Sequence, residues 1–274
     1  MRRLRESGSY SGRRIGFVPT MGALHEGHLS LIRAARHEND VVVVSVYVNP
    51  LQFNDQQDLA AYPRDLQRDI DLAESAGADV VFAPNSVEMY PEGFKTAVQV
   101  DALSEPMEGQ SRGPAHFRGV TTVVAKLFNV VQPTNAYFGQ KDFQQGVIVA
   151  RMIRDLNFPI HLHMCPTVRE ADGLAMSSRN ARLTPADRKL AIGLYRALQA
   201  SSDAVRRGEY ASAALRRVAT NVLRSFGIEP EYVAVASTRT LEPLAEITDE
   251  AVIALAAKVG EVRLIDNMVV YRPH

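Results

Sequence analysis

Two histidines, His25 and His28, flank Gly27 in the stretch I-G-F-V-P-T-M-G-A-L-H-E-G-H-L-S, residues 15–30. A neutral imidazole offers a ring N–H donor without a permanent charge, so the pair suits an anion such as a phosphate. Zinc is the rival chemistry. A zinc-protease helix spaces its histidines four apart with Glu between them. Here they stand three apart with Gly27 inside, and zinc is rejected. Farther along, Lys141 in G-Q-K-D and Arg179 in M-S-S-R supply fixed positive charge. Ser177 and Ser178 add hydroxyls, and such a set suits a polyphosphate. Taken singly, each of these residues reads as ordinary surface, cap or linker. Their places on the fold decide between the two readings.

Ile15 to Val18 is long enough for one buried strand; Pro19, Gly22 and Gly27 break the pattern; Leu29, Ile32 and Ala35 resume it at helical spacing. The unit is strand, tight turn, helix. A helix start carries open N–H groups and about half a positive charge, which adds to the anion argument. Val41 to Val48 reads as a strand buried on both faces, ended by Asn49-Pro50. A polar loop is expected over residues 51–58, a helix over 63–77 and a third strand over 79–82. Residues 84–114 are Pro- and Gly-rich and read as irregular. A helix is expected over 120–131, a strand over 136–138, a helix through Leu156 and a strand over 159–164. Strands alternating with helices give a doubly wound parallel sheet, whose ligands sit beyond the carboxyl ends of its strands. Thr184-Pro185 marks a new helix start. Helices over 185–207 and 211–226 and strands over 232–236, 251–257 and 262–265 form a smaller α+β domain. The expected division is 1–180, a Rossmann-like catalytic domain, and 181–274, a smaller domain acting as a lid.

The chain has 274 residues, is 46% hydrophobic and 23% charged, and carries no formal net charge. A sizeable core is therefore available. The charge balance argues against a nucleic-acid or membrane-surface binder, though not against a local cationic pocket. The single cysteine, Cys165, allows no internal disulfide and fits a reducing compartment. No spanning segment or secretory leader is read, so a cytoplasmic location is expected. Arg2, Arg3, Arg5, Arg13 and Arg14 near the start read as a solvated helix end, with an organellar leader as the rival.

Neither a G-x-x-x-x-G-K-[ST] loop nor a G-x-G-x-x-G turn is present, so any phosphate site is built otherwise. P-T-M-G-A-L-H-E-G-H (19–28), V-N-P-L-Q-F (48–53), H-F-R-G-V (116–120), F-G-Q-K-D-F-Q-Q (138–145), P-T-V-R-E-A-D-G-L-A-M-S-S-R-N (166–180) and R-L-I-D-N (263–267) occur in that order. Together they resemble the pantoate–β-alanine ligases, within the H-x-G-H superfamily of nucleotidyltransferases and class I aminoacyl-tRNA synthetases. H-x-G-H alone identifies the superfamily. The long block ending in S-S-R-N, with V-N-P-L-Q-F, identifies the family.

The resemblance implies that pantoate, ATP and β-alanine give pantothenate, AMP and diphosphate through a pantoyl-adenylate, with Mg²⁺ on the phosphates. It implies ATP contacts from Met21, Gly22, Ala23, Leu24, His25, Glu26, Gly27 and His28, with His28 as proton donor. Gly139, Gln140, Lys141, Asp142, Val168, Met176, Ser177, Ser178 and Arg179 would complete the nucleotide site. Gln52 and Gln145 would hold pantoate, and Gln52 also lies at the β-alanine position. The family is commonly a homodimer. Arg112 is the candidate for a family arginine, but S-R-G-P-A-H-F is one residue longer than the usual pattern and shifts the register, so Arg112 is kept out of the site.

The chemistry agrees. A carboxylate has a poor leaving group, and adenylation supplies a good one. Two anions must first meet, and cations with oriented donors offset their repulsion. Neutral amides such as Gln52 and Gln145 suit the hydroxyls of pantoate. Two rivals remain: a nucleotidyltransferase of the same fold acting on a phosphorylated acceptor, and a non-catalytic nucleotide binder. V-N-P-L-Q-F and the extra domain count against the first. Retention of His25, His28, Lys141 and Arg179 together counts against the second. Cys165 reads as a small buried residue rather than a nucleophile, and His161 and His163 read as structural.

Overall fold

The computed structural model describes Met1, Tyr10, residues 12–54 and residues 56–273. The expected helix end among the first residues lies mostly outside that range; Arg13 and Arg14 within it are exposed. The chain packs as two compact units: Met1–Gln140 with Gln144–Pro166, and Lys141–Phe143 with Thr167–His274. Among the described residues no helix is long and apolar enough to cross a membrane.

The first unit is built on a five-stranded parallel sheet of order β3-β2-β1-β4-β5. Its strands are β1 (Ile15–Thr20), β2 (Val41–Val46), β3 (Val80–Phe82), β4 (Asn135–Gly139) and β5 (His161–Cys165). Helices α1 (Glu26–Glu38), α2 (Gln56–Ala60), α3 (Leu66–Ser75), α4 (Ser86–Met89), α5 (Glu108–Arg112), α6 (Pro114–Val131) and α7 (Phe143–Asp155) connect them. The doubly wound expectation holds. Alternate residues of β1 go to opposite faces, as strand periodicity requires. Ile15 and Phe17 pack with Val123, Phe128 and Val149, whereas Val18 packs with Ile32, Ala35 and Ala73. Each fully buried side chain of this size contributes about 1.5–3 kcal/mol.

Several boundaries move, each for a local reason. β2 stops at Val46 because its partner β1 stops at Thr20, and those two residues form the last paired position. α3 starts at Leu66 because the Asp65 side chain accepts from the Arg68 N–H at 3.1 Å; Pro63 precedes the helix. α6 starts at Pro114, which has no N–H to leave unsatisfied in a first turn. The supposed loop over 51–58 holds a 3₁₀ turn (Pro50–Gln52) and α2, and the irregular 84–114 stretch holds α4 and α5.

The second unit pairs α8 (Pro185–Arg206) and α9 (Ser212–Ser225) with an antiparallel sheet of order β6-β7-β8. Its strands are β6 (Pro230–Ala236), β7 (Glu250–Val259) and β8 (Val262–Tyr271). Thr184 caps α8 by accepting from the Asp187 N–H at 3.1 Å. β8 runs past the expected end at Ile265 because β7 pairs with it from Val259–Val262 to Glu250–Tyr271. The polar Asp266 and Asn267 hide that continuation in the sequence, yet both are buried. Besides Lys141–Phe143, this unit takes in the chain from Thr167 onward. Arg169 forks onto Asp266 at 2.6 and 2.9 Å and ties the 167–180 stretch to β8.

Candidate active site

In the first unit the sheet changes winding direction between β1 and β4. The crevice beyond their carboxyl ends is where such sheets take ligands. The chain leaves β1 at Thr20 into a strained turn. Gly22 has φ +80° and Ala23 has φ +51°, in the left-handed region that costs a non-glycine residue about 1–3 kcal/mol. A Cβ on Gly22 would come within 2.8 Å of Asp69 Oδ2 and 3.0 Å of Val46 Cγ1. The turn is fastened from both sides. Thr20 Oγ1 donates to Ser45 O at 2.7 Å and accepts from the Gly22 N–H at 3.1 Å. Asp69 on α3 accepts from the Ala23 N–H at 2.9 Å and the Leu24 N–H at 2.7 Å.

α1 begins at Glu26, between the two histidines, as their flanking positions suggested. They form its capping box themselves. His25 Nδ1 accepts from the Gly27 N–H at 3.1 Å, and His28 Nδ1 accepts from the His25 N–H at 3.3 Å. A neutral imidazole that accepts at Nδ1 carries its hydrogen at Nε2. The rings lie 4.1 Å apart, centre to centre. The open helix N–H groups expected here are therefore mostly engaged: Gly27 by a ring, and His28 by His25 O at 2.8 Å. Neutral His25 and His28 rings held this way would carry their hydrogens at Nε2, at the positive end of the helix.

Gln52 sits on the 3₁₀ turn after β2, half-buried. Its Nε2 donates to Met21 Sδ at 3.2 Å, so these two expected site residues meet. A thioether is a weak acceptor, so this bond holds the amide only loosely. Asn49 fixes the other end of the amide, donating to Gln52 Oε1 at 3.0 Å and Gly119 O at 3.1 Å. The Tyr90 hydroxyl donates to Asn49 Oδ1 at 2.7 Å. Burial pushes the Tyr90 phenol far up, with the neighbouring Tyr47 adding to it, so Tyr90 keeps its donor hydrogen. His116 Nδ1 lies 2.8 Å from Gln52 O.

Gln144 and Gln145 are neighbours on α7 with different surroundings. Gln144 is buried; its Nε2 donates to Leu103 O at 2.9 Å and Pro106 O at 2.8 Å, and its Oε1 accepts from the Glu108 N–H at 3.1 Å. That amide is consumed by the 103–108 loop. Gln145 is half-buried on the same helix. Arg112 pairs with Glu108 at 2.8 Å. His163 stacks on Tyr137 with centroids 4.6 Å apart and lies 3.2 Å from Asn135 Oδ1, a structural place. Burial, and then the Glu38 charge, push the Cys165 thiol up from its ordinary value.

The G-Q-K-D turn is divided. Gly139 and Gln140 belong to the first unit, Lys141 and Asp142 to the second. Asn267 Nδ2 donates to Lys141 O at 2.9 Å, and Lys141 Nζ lies 3.8 Å from Asp142 Oδ1. In the same unit the Met176 N–H donates to Val168 O at 3.0 Å, closing the loop that carries both. Ser177 Oγ accepts from the Arg179 N–H at 3.2 Å and starts a 3₁₀ turn. Asn180 Nδ2 anchors that turn to Glu170 Oε1 at 2.9 Å and Ala175 O at 3.1 Å.

Residues 1–269 match the family described as pantoate-beta-alanine ligase. The chain belongs to the pantoate–β-alanine ligase family. It is a ligase that joins pantoate to β-alanine in pantothenate biosynthesis. The pantothenate synthetase of Moorella thermoacetica is 56% identical over 259 residues, covering 94% of this chain and 91% of that protein. The pantothenate synthetase of Thermus thermophilus superposes with a TM-score of 0.93 at 50% identity, covering 98% of this chain and 97% of that one. The pantoate–β-alanine ligase of Francisella tularensis, solved with β,γ-ATP and β-alanine, gives 0.80 at 37% identity, covering 97% and 93%.

Within this ligase Asn49, Asp69, Tyr90 and His116 contact or brace residues expected in the site, and none of the four was singled out from the sequence. Asn49 and His116 do lie in the stretches that carry the resemblance. Asp69 is concealed on α3, where charged residues abound. Among the described residues no three His, Cys, Asp or Glu side chains group to hold a metal. Both Asp69 oxygens are taken by N–H groups. A Mg²⁺ ion fits this donor set as a companion of nucleotide phosphates, not as the occupant of a protein-built cage.

Proposed function

We propose that the ligase works in two steps. The pantoate carboxylate attacks the α-phosphorus of ATP, forming pantoyl-adenylate and expelling diphosphate. The amine of β-alanine then attacks the acyl carbon, expels AMP and gives up a proton, leaving pantothenate. The arrangement of His25 and His28 carries this reading: two Nε2–H donors held by their own capping box at the carboxyl end of β1. Such preset donors stabilise charge that develops on phosphate without reorganising. No protein nucleophile is required.

Met21 to His28, Gly139, Gln140, Lys141, Asp142, Val168, Met176, Ser177, Ser178 and Arg179 bind ATP in this scheme, and His28 assists the departing diphosphate by donating from Nε2. Lys141 and Arg179 neutralise phosphate charge. Bound Mg²⁺ would supply further charge neutralisation on the phosphates. Gln52 and Gln145 hold pantoate, and Gln52 also meets β-alanine. The nucleotide bound by the Francisella ligase supports the assignment of ATP. The second unit, with its S-S-R-N loop, acts as the lid that protects the adenylate from water. We further propose a cytoplasmic homodimer, to be checked by light scattering.

The test is diphosphate release from ATP plus pantoate, with and without β-alanine. Pantoate-dependent release, with one adenylate retained per enzyme until β-alanine arrives, is expected. Release that ignores pantoate rules the scheme out.

A further inference from the structure

We propose that Asp69 is a positioning residue for the nucleotide turn; this rests on the assignment of residues 21–28 to ATP. Asp69 stands on α3, outside every stretch that carries the family resemblance. It is 1% exposed. A carboxylate so buried is costly unless it is hydrogen-bonded. Each of its oxygens takes one N–H, from Ala23 at 2.9 Å and from Leu24 at 2.7 Å. Charge-assisted bonds of this kind are about twice as strong as neutral ones. They hold Ala23 at φ +51°, a conformation alanine avoids, two residues before the capping histidine. They also turn two N–H groups inward, so the turn meets its ligand with other atoms. Gly22 completes the device, because any Cβ there would press on the same carboxylate.

The role is mechanical. Asp69 does not touch substrate; it sets the angle at which His25 and His28 leave β1. Loss of the clamp misplaces both Nε2–H donors, and a shift of about 1 Å in such groups costs ~10²-fold. In Asp69→Asn the shape is kept but one acceptor becomes an NH₂ donor facing an N–H. The expected result is a fall of ~10²-fold in kcat/KM for ATP, with KM for ATP raised and KM for β-alanine unchanged. A purely structural residue would lower the active fraction and leave every KM alone.

Gly22→Ala pushes on the clamp from the other side and should give the same kinetic signature. Because both changes act through one contact, their effects should not add. Amide exchange in the wild-type enzyme is the third readout. Slow exchange at Ala23 and Leu24 is expected, and it can be measured even if Asp69→Asn does not fold. An unchanged KM and kcat in folded Asp69→Asn, full additivity in the double variant, or free-peptide exchange at both amides overturns the proposal. If the wild-type enzyme fails the diphosphate assay, the ATP assignment falls, and amide exchange still reports whether the clamp exists.

Discussion

His28 Nδ1 accepts from the backbone N–H of His25, 3.3 Å away, while His25 Nδ1 accepts from Gly27 at 3.1 Å. One pair of rings thus performs the capping of α1 and leaves Nε2 of each as the nitrogen that carries the hydrogen when the ring is neutral. Cap and chemistry are separable. A capping box accepts Gln at the third position, where its amide oxygen can take the place of His28 Nδ1. His28→Gln should therefore keep stability within about 1 kcal/mol and still slow adenylate formation by ~10²–10³, the usual loss for one transition-state donor. His28→Ala should lose both the cap and the rate. Urea unfolding and single-turnover adenylate formation measure the two effects separately. Nitrogen-15 spectra of the wild-type rings should report the Nε2–H tautomer for both.

Gly119 on α6 lies against the turn that presents Gln52. A Cβ there would come within 2.3 Å of Leu51 O and 2.8 Å of Gln52 N. These are backbone atoms and cannot swing aside. Gly119→Ala should move the Gln52 turn, breaking the Asn49–Gly119 bond and costing about 1–3 kcal/mol of stability. KM for pantoate should rise in steady-state assays, with KM for ATP little changed. An unaltered pantoate KM removes Gln52 from the pantoate site.

Much of the sheet was legible because its signals are local. Val41 to Val44 can hardly be anything but a strand buried on both faces, and the turn at Gly22 interrupts the pattern where the chain leaves β1. The structural role of Gln144 was not legible. Two adjacent glutamines look alike until the 103–108 loop consumes one of them. The histidine capping box was hidden for another reason: Ser, Thr, Asp and Asn are the usual cap residues, and an imidazole acts as one only in a particular ring orientation. Asp69 shows the remaining limit. Nothing in D-L-Q-R-D-I-D marks which aspartate turns inward; Ala23 and Leu24, far away in sequence, decide it.

Cys165 ends β5, paired with Gly139, which places a thiol near the proposed nucleotide edge. Burial and the Glu38 charge raise its pKa, so less thiolate exists at neutral pH than for a free cysteine. Alkylation by iodoacetamide should be slow at pH 7 and should keep climbing at pH values where a free thiol has levelled off. Cys165→Ala should leave kcat unchanged. A fast-reacting thiol at neutral pH, or a dead alanine variant, would contradict the reading of this residue as packing.

Arg169 and Asp266 form a buried ion pair in the second unit. Asp266 is 2% exposed, and burial raises its carboxyl above the ordinary value while the Arg169 fork pulls it back part of the way. A raised carboxylate pKa means that the folded state binds the proton more tightly than the unfolded state. This group therefore adds stability as pH falls from above its folded value toward the unfolded value of 3.8, and subtracts it as pH rises. Compared with Asp266→Asn, the wild-type enzyme should gain relative stability as pH is lowered through that window. Arg169→Met sharpens the contrast. It strands a buried carboxylate and should cost ~3–5 kcal/mol at neutral pH, and the cost should shrink in acid, where Asp266 takes up a proton. Arg169 also covers the Tyr195 ring at 4.3 Å and donates to Gly173 O at 3.1 Å, so some loss should persist at every pH. Urea titrations of the three proteins from neutral to mildly acid pH decide the matter. A penalty for Arg169→Met that grows in acid would show that Asp266 does not titrate in the direction its burial dictates.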